Sequence, residues 1–301
     1  MITCFLQGGL GNQLFQIFTT IAYGLKNHVN VVFPYSPVLT SGKERPTYWE
    51  NFLVSLKWIT TANPNHGLSN EQLDEIPTYM ENGYPWQPFP SVDDTYNIRL
   101  YGFFQTAKYF DQYRDFLFRM IRLEQQKNKI RNEFWWWFYM AKGSNMRMIS
   151  MHFRLGDYKE KQMYHPIIGI EYYEKAIEFV LEKQILLAYR NDVKVPKDIR
   201  VLYFCESEDN DVVCGHIEYL RSKYPKIEFI KVDDSIEDWK QMLIMSCCHD
   251  NIIPNSTFSW WGAYFNENVD KIVCYPNLWF GPYINEDLRD MHPEEWYKID
   301  V

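Results

Sequence analysis

The chain has 301 residues, 46% of them hydrophobic and 23% charged. That length suits two ordinary domains or one large one, and is ample for an apolar core without disulfide or metal staples. Thirty-one basic against 39 acidic residues give a net charge of −8, which excludes a nucleic-acid surface spread over the whole fold and leaves only a local basic pocket open. The 22 tyrosines, 20 phenylalanines and 11 tryptophans exclude a disordered chain. Flat apolar rings with polar edges suit sugars and bases, and they suit cores equally.

Residues 1–25 carry no charged side chain. No basic segment leads them, and Gln7, Gly8, Gly9, Gly11, Asn12, Gln13 and Gln16 interrupt the apolar character. Neither a secretory signal nor a membrane span fits that pattern. A cytoplasmic location is expected, with the six cysteines as reduced thiols, since no pair has C-x-x-C spacing.

Ile2–Leu6 predicts a strand ending in the turn Gln7-Gly8-Gly9-Leu10-Gly11. From Asn12, apolar residues at 14, 15, 18, 21, 22 and 25 predict a helix stopped at Asn27-His28. Val29–Phe33 reads as a strand closed by Pro34, completing a Rossmann-like β-loop-α-β opening. Residues 35–98 have weak periodicity. Asn97–Phe103 reads as a strand and Lys108–Leu123 as a helix studded with aromatics. The run Phe134–Met140 (FWWWFYM) has neither helical nor alternating polarity and is expected to be buried. Then strands at 146–151, 200–205, 227–232, 250–254 and 271–275 alternate with helices at 171–187, 212–224, 236–248 and 258–265. That alternation predicts a second parallel sheet, hence two Rossmann-like domains, 1–140 and 141–301, with a ligand in the cleft between them.

Three turns could carry chemistry, each following a strand. At Gly8–Gln13, glycines permit close backbone approach to a phosphate at a helix start, with Gly11, Asn12 and Gln13 as the candidate contacts. The glycines alone are equally explained by a tight turn, and Asn12 by an N-cap. A nicotinamide cofactor is not indicated, because Leu14 stands at the third glycine position and Phe33-Pro34 end the second strand. At 152–157, His152-x-Arg154-x-Gly156-Asp157 offers a guanidinium that can fork two diphosphate oxygens and a histidine that can donate to the same group. Asp157 can orient Arg154 or accept a proton. A salt-bridged turn is the structural alternative. At 255–258, Asn255-Ser256-Thr257-Phe258 places hydroxyls and helix-start amides where they make a phosphate cradle or an ordinary N-cap. Asp93-Asp94 and Asp233-Asp234 are weaker candidates, each half of a metal-binding pair, and Glu206–Asp211 reads as a solvated acidic turn.

Taken together, G-G-L-G-N-Q-L-F-Q at 8–16, H-x-R-x-G-D-Y at 152–158 and N-S-T-F-S-W-W-G-A at 255–263 resemble the α1,2-fucosyltransferases of glycosyltransferase family 11. Trp279-Phe280-Gly281-Pro282 and Pro293-Glu294-Glu295-Trp296 are similar to the family's C-terminal region, so the likeness spans the chain. The resemblance implies an α/β GT-B fold, with an acceptor-side domain at 1–140 and a donor-side domain at 141–301. It implies transfer of L-fucose from GDP-β-L-fucose, with inversion and without a metal or cofactor, to a glycan acceptor ending in galactose, at its 2-OH. By that resemblance Arg154 holds the β-phosphate, Asn12 lies near the reaction centre, and His152 helps hold the nucleotide. Gly11, Gln13, Asn255, Ser256, Thr257 and Phe258 belong to the donor pocket, and Asp157 is the candidate base. Leu155 stands where many members carry a second arginine. The alternatives are a nucleotide-sugar or glycan-binding protein of the same fold without catalysis, and a fucosyltransferase of another linkage or acceptor. The residues do not specify an oligomeric state.

Overall fold

A computed structural model of the chain describes residues 1–92, 96–138, 146–190, 195–196 and 198–301. It forms two compact units, one of Met1–Glu124 with Glu286–Pro293, the other of Gln125–Asn285 with Glu294–Val301. The division expected between 140 and 141 lies outside the described residues, and the units part instead between 124 and 125. The chemistry behind that is Lys127, which is buried and donates to the Phe265 carbonyl at 2.9 Å while pairing with Glu267 at 3.1 Å, both in the second unit. Residues 286–293 return to the first unit, where Asp290 accepts from the Trp86 amide at 2.9 Å and the Lys108 ammonium at 2.6 Å.

The first unit opens with β1 (Ile2–Cys4) and α1 (Leu10–Asn27), followed by β2 (Thr78–Met80) and β3 (Ile98–Tyr101). The three strands are parallel in the order β1-β3-β2. The strand expected at 29–33 is reduced to isolated parallel bridges, Val31 to Ile2 and Phe33 to Thr60, because Pro34 has no N–H to continue a ladder. Fourteen of the 18 residues of α1 are buried, so it leaves no solvated face for a charge over most of its length. That accounts for the uncharged N-terminal stretch. The helix ends at His28 in the left-handed region (φ 58°). The helix expected at 108–123 is divided into two 3₁₀ turns, 107–109 and 111–113, and α2 (Arg114–Met120). Those turns send Phe110 inward against Phe15 and Phe18 of α1.

Near the division lies α3 (Leu123–Glu133). The second unit then runs β4 (Met146–His152), α4 (Ile170–Arg190), β5 (Asp198–Phe204), α5 (Asn210–Lys223), β6 (Ile227–Lys231), α6 (Asp238–Ser246), β7 (Asp250–Ile252), α7 (Thr257–Tyr264), β8 (Val273–Pro276) and β9 (Tyr297–Ile299). All six strands are parallel, in the order β9-β8-β7-β4-β5-β6. The chain starts at the centre with β4, steps outward to β6, then returns to β7 on the other side of β4 and steps outward again. This is the doubly wound order, and its reversal falls between β4 and β7.

A buried ionic knot fixes that register. Asp250, fully buried at the start of β7, accepts from Arg147 of β4 through Nε and Nη2, both at 2.7 Å. It also accepts from Gln184 of α4 at 2.7 Å and from the Ile272 amide at 2.9 Å, so three segments converge on the carboxylate of a fourth. The tryptophans divide by position. Trp260 and Trp261 are fully buried against Tyr264, Phe265 and Trp296. In the run at 134–140, Phe134 and Trp137 are buried and stacked at 5.2 Å, whereas Trp135 and Trp136 are about half exposed. One helical turn (Trp135–Phe138) cannot aim three consecutive side chains inward, so the expected burial of the whole run does not hold. Tyr139 and Met140 lie outside the described residues.

Candidate active site

In an open parallel sheet, ligands bind beyond the carboxyl ends of the strands where the order reverses. Here β4 and β7 are paired there, Met151 opposite Ile252. The segments leaving those two strands are 153–158 and 253–257, which are the second and third turns singled out from the sequence.

In the first of these, Arg154 is mostly buried. Its Nη2 donates to Asp157 Oδ1 at 2.5 Å, and its Nη1 pairs with Glu206, just beyond β5. Asp157 also faces Lys161 at 3.4 Å. The guanidinium lies over the Tyr158 ring, 5.0 Å from its centroid. Tyr158 in turn donates from its hydroxyl to the Asn255 carbonyl at 3.0 Å, joining the two turns. Asp157 therefore spends one oxygen on Arg154 and faces a second cation with the other, which gives it an orienting role. Gly156 adopts a positive φ of 34°. Its amide donates to Asp209 at 2.8 Å, and Asp209, fully buried, also pairs with Lys159 at 2.6 Å.

His152 ends β4 and is buried, with Nδ1 lacking a hydrogen-bond partner among the described residues and the ring 5.7 Å from that of Phe258. Burial, reinforced by the neighbouring Arg154 charge, pushes its pKa down to about 3. The imidazole is thus neutral in ordinary buffers and can offer a hydrogen bond but not a charge.

In the second turn, Ser256 is the N-cap residue of α7, and its side chain accepts no amide of that helix. The helix start supplies the positive end of its dipole at the switch point. Thr257 and Phe258, partly exposed, follow on its first turn. Asn255 is chiefly structural: its Nδ2 donates to the carbonyls of Pro166 and Trp279, each at 3.0 Å. Its buried Oδ1 has no hydrogen-bond partner among the described residues.

The Gly8–Gln13 turn belongs to the first unit. Helix α1 starts at Leu10, so Asn12 lies inside its first turn and is not the N-cap, which is Gly9. Gly8 has φ +78°, and a Cβ there would lie 2.5 Å from Asn12 Nδ2, so only glycine admits the asparagine at this spot. Gln105 Nε2 donates to Asn12 Oδ1 at 3.0 Å. Gly11 is buried in that first turn. Gln13 is buried too, and its amide donates to the carbonyls of Gly8 at 3.0 Å and Pro46 at 2.9 Å, so it braces the turn.

Several contributors escaped the sequence reading. The segment 206–211 reads from sequence as a solvated turn, yet its Glu206 and Asp209 both grip the 154–159 loop. The usable signal was their position, four acids at the end of a strand paired with the one leading to Arg154. Tyr158, Gln105 and Gln16 were also missed. Gln16 accepts from the Gln7 amide and donates to the Gly102 carbonyl, each at 3.0 Å. Asp233 accepts from the Ser235 amide, and Asp234 is engaged by Asn210 and Lys231. Asp93 and Asp94 lie outside the described residues.

A doubly wound sheet with an arginine and a helix start at its switch point defines an α/β protein with positive groups at the carboxyl edge of its strands. Residues 75–300 match the model of glycosyl transferase family 11. The chain belongs to that glycosyltransferase family. It is 29% identical over 314 aligned positions to the O-antigen biosynthesis glycosyltransferase WbnK of Escherichia coli, covering 93% of this chain and 95% of that one. It is 25% identical over 215 positions to an alpha-1,2-colitosyltransferase of Escherichia coli, covering 68% and 63%. Among solved structures, the NodZ alpha-1,6-fucosyltransferase co-crystallized with GDP is similar at 12% identity and a TM-score of 0.43, over 87% of this chain and 91% of that one. No helix among the described residues is long and apolar enough to cross a membrane.

Proposed function

We propose that this family 11 glycosyltransferase moves L-fucose from GDP-β-L-fucose to the 2-OH of a terminal galactose, with inversion and without a metal. The observation that carries this reading is the meeting of Arg154 and the α7 start at the β4/β7 switch point. A departing GDP gains negative charge as the glycosidic bond breaks, and a fixed guanidinium with helix-start amides stabilises that charge. In this reading the diphosphate displaces Glu206, the more exposed of the two carboxylates on Arg154, while Asp157 and the Tyr158 ring keep the guanidinium aimed. Neutral His152 contributes a hydrogen bond to the nucleotide. Ser256, Thr257 and Phe258 border the phosphates and nucleoside. Asn255 shapes that loop.

A relative is named for colitose transfer, which makes colitose a second sugar to test. The test is GDP release, in EDTA, from GDP-fucose, GDP-mannose and a colitose donor with a galactose-terminated acceptor. GDP-fucose is expected to be the working donor. Preference for GDP-mannose, or complete loss in EDTA with recovery on manganese, would overturn the reading.

A further inference from the structure

We propose that Glu206 is a carboxylate latch on the donor site: it competes for the anion seat of Arg154 and so sets how tightly a nucleoside diphosphate, but not a monophosphate, is held. The inference rests on the reading above, in which the β-phosphate lies on Arg154. All the residues concerned belong to the second unit. The register of the sheet brings the pair together. His152 of β4 stands opposite Phe204 of β5, so two residues further on Arg154 and Glu206 leave the same edge side by side. There Glu206 Oε1 pairs with Arg154 Nη1. Its other oxygen lies against Gly156, where a Cβ would come within 2.8 Å of it. The missing side chain at 156 is therefore the slot in which the Glu206 carboxylate rests.

The two carboxylates on Arg154 differ in what holds them. Asp157 lies on the same loop, is 26% exposed and is faced by a second cation, Lys161, at 3.4 Å. Glu206 comes from another strand, is 47% exposed and makes no other ion pair among the described residues. Water solvates a half-exposed carboxylate that loses its partner, so Glu206 gives up Arg154 at little cost. Only its side chain has to turn. The Glu206 carbonyl accepts the Asp209 amide at 2.9 Å, and Asp209, fully buried, holds the Gly156 amide and Lys159, so the loop keeps its shape when the latch opens. Charge points the same way. Arg154, Lys159 and Lys161 are matched by Asp157, Asp209 and Glu206, three cations against three carboxylates. With Glu206 turned into water, one positive charge is left over, on a loop tied through Tyr158 to the turn that starts α7. A phosphate group on Arg154 restores the balance.

Such a latch acts on a ligand only if the ligand reaches Arg154. A nucleoside diphosphate has to break the Arg154–Glu206 pair to bind, and the carboxylate competes to close again as the diphosphate leaves. A nucleoside monophosphate, which lacks the β-phosphate, leaves the pair closed and meets no competition.

The test is calorimetric titration of GDP and of GMP into the unmodified chain and into Glu206→Gln, which keeps the size of the side chain and removes its charge. GDP should bind the variant about fivefold more tightly, the effect of removing a half-exposed competing ion pair, and should dissociate from it more slowly. GMP affinity should stay the same. A Glu206 that instead braces the guanidinium, as Asp157 does, would make GDP bind the variant more weakly; that result, or an unchanged GDP affinity, overturns the latch. Equal tightening of GMP overturns it too, because it marks a general loss of negative charge and not competition at Arg154. If Glu206→Gln does not fold, Glu206→Asp, one methylene shorter and so drawn back from Arg154, is read by the same criteria. A chain that binds GDP with no difference between wild type and variant removes the latch alone, whereas a wild-type chain that binds neither GDP nor GMP removes the nucleotide reading and this assignment with it.

Discussion

Replacing Arg154 with alanine separates a catalytic from a structural role, because the structure sets very different magnitudes for the two. The side chain is 18% exposed, and its partners Asp157 and Glu206 are 26% and 47% exposed. Water therefore solvates both carboxylates once the guanidinium is gone. Loss of the pairs should cost no more than about 1 kcal/mol, a fall in melting temperature of roughly 2–4 °C for a unit of this size. The effect on turnover should be far larger. Removing a fixed donor from a developing oxyanion costs about 10²–10³ in rate, or about 2.7–4 kcal/mol. Two uncompensated carboxylates would then also repel the diphosphate, so GDP affinity should fall together with kcat. Arg154→Lys keeps the charge but loses the fork and the ring stacking, and should land between wild type and alanine. Initial rates of GDP release, GDP titration and a thermal melt on the same preparations decide the matter. A folded Arg154→Ala chain with near-wild-type transfer would refute the role given to this residue. A chain that fails to fold would refute the ranking of effects.

Asp250→Ala should destabilise the second unit by about 3–5 kcal/mol, since it leaves Arg147 and Gln184 without their buried acceptor; urea unfolding followed by tryptophan fluorescence reads this, and an unchanged midpoint contradicts it. For His152, the folded pKa of about 3 against the ordinary 6.5 means that below pH 6.5 the unfolded chain takes up a proton the folded chain refuses. Stability is then fully present above pH 6.5 and falls with pH, by about 2 kcal/mol from this group at pH 5. His152→Gln should flatten that part of the slope, while the buried His292 continues to contribute in both chains. Identical slopes would contradict the neutral, buried state of His152.

The second unit was legible in the sequence because its strands are apolar runs set between periodic helices. All five strands expected there exist, with ends moved by no more than two residues, and the turns after β4 and β7 carry the residues singled out. The short β9 was not anticipated: its three residues (YKI) alternate too briefly to stand out. The first unit was harder. Its β2 is three residues long and mostly exposed, so it leaves no hydrophobic trace in residues 35–98. Side-chain roles were the least legible part. Gln13 and Asn255 are chemically able to bind a donor, yet the fold spends their amides on neighbouring carbonyls. Glu206 and Asp209 come to the 154–159 loop only through the topology, from sequence separations that motif spacing does not reveal. Trp260 and Trp261 stand beside a candidate ligand turn, but the helical direction of α7 carries them into the core. The exposed pair Trp135 and Trp136 has no structural explanation.

The central claim is tested most directly by incubating the chain with GDP-β-L-fucose and a galactose-terminated oligosaccharide in EDTA, and determining the product by NMR. The account predicts a single new α-L-fucosyl residue on the 2-OH of galactose, formed with one equivalent of GDP. Fucose attached at another position would contradict the linkage, and an unmodified acceptor with intact GDP-fucose would contradict the function itself.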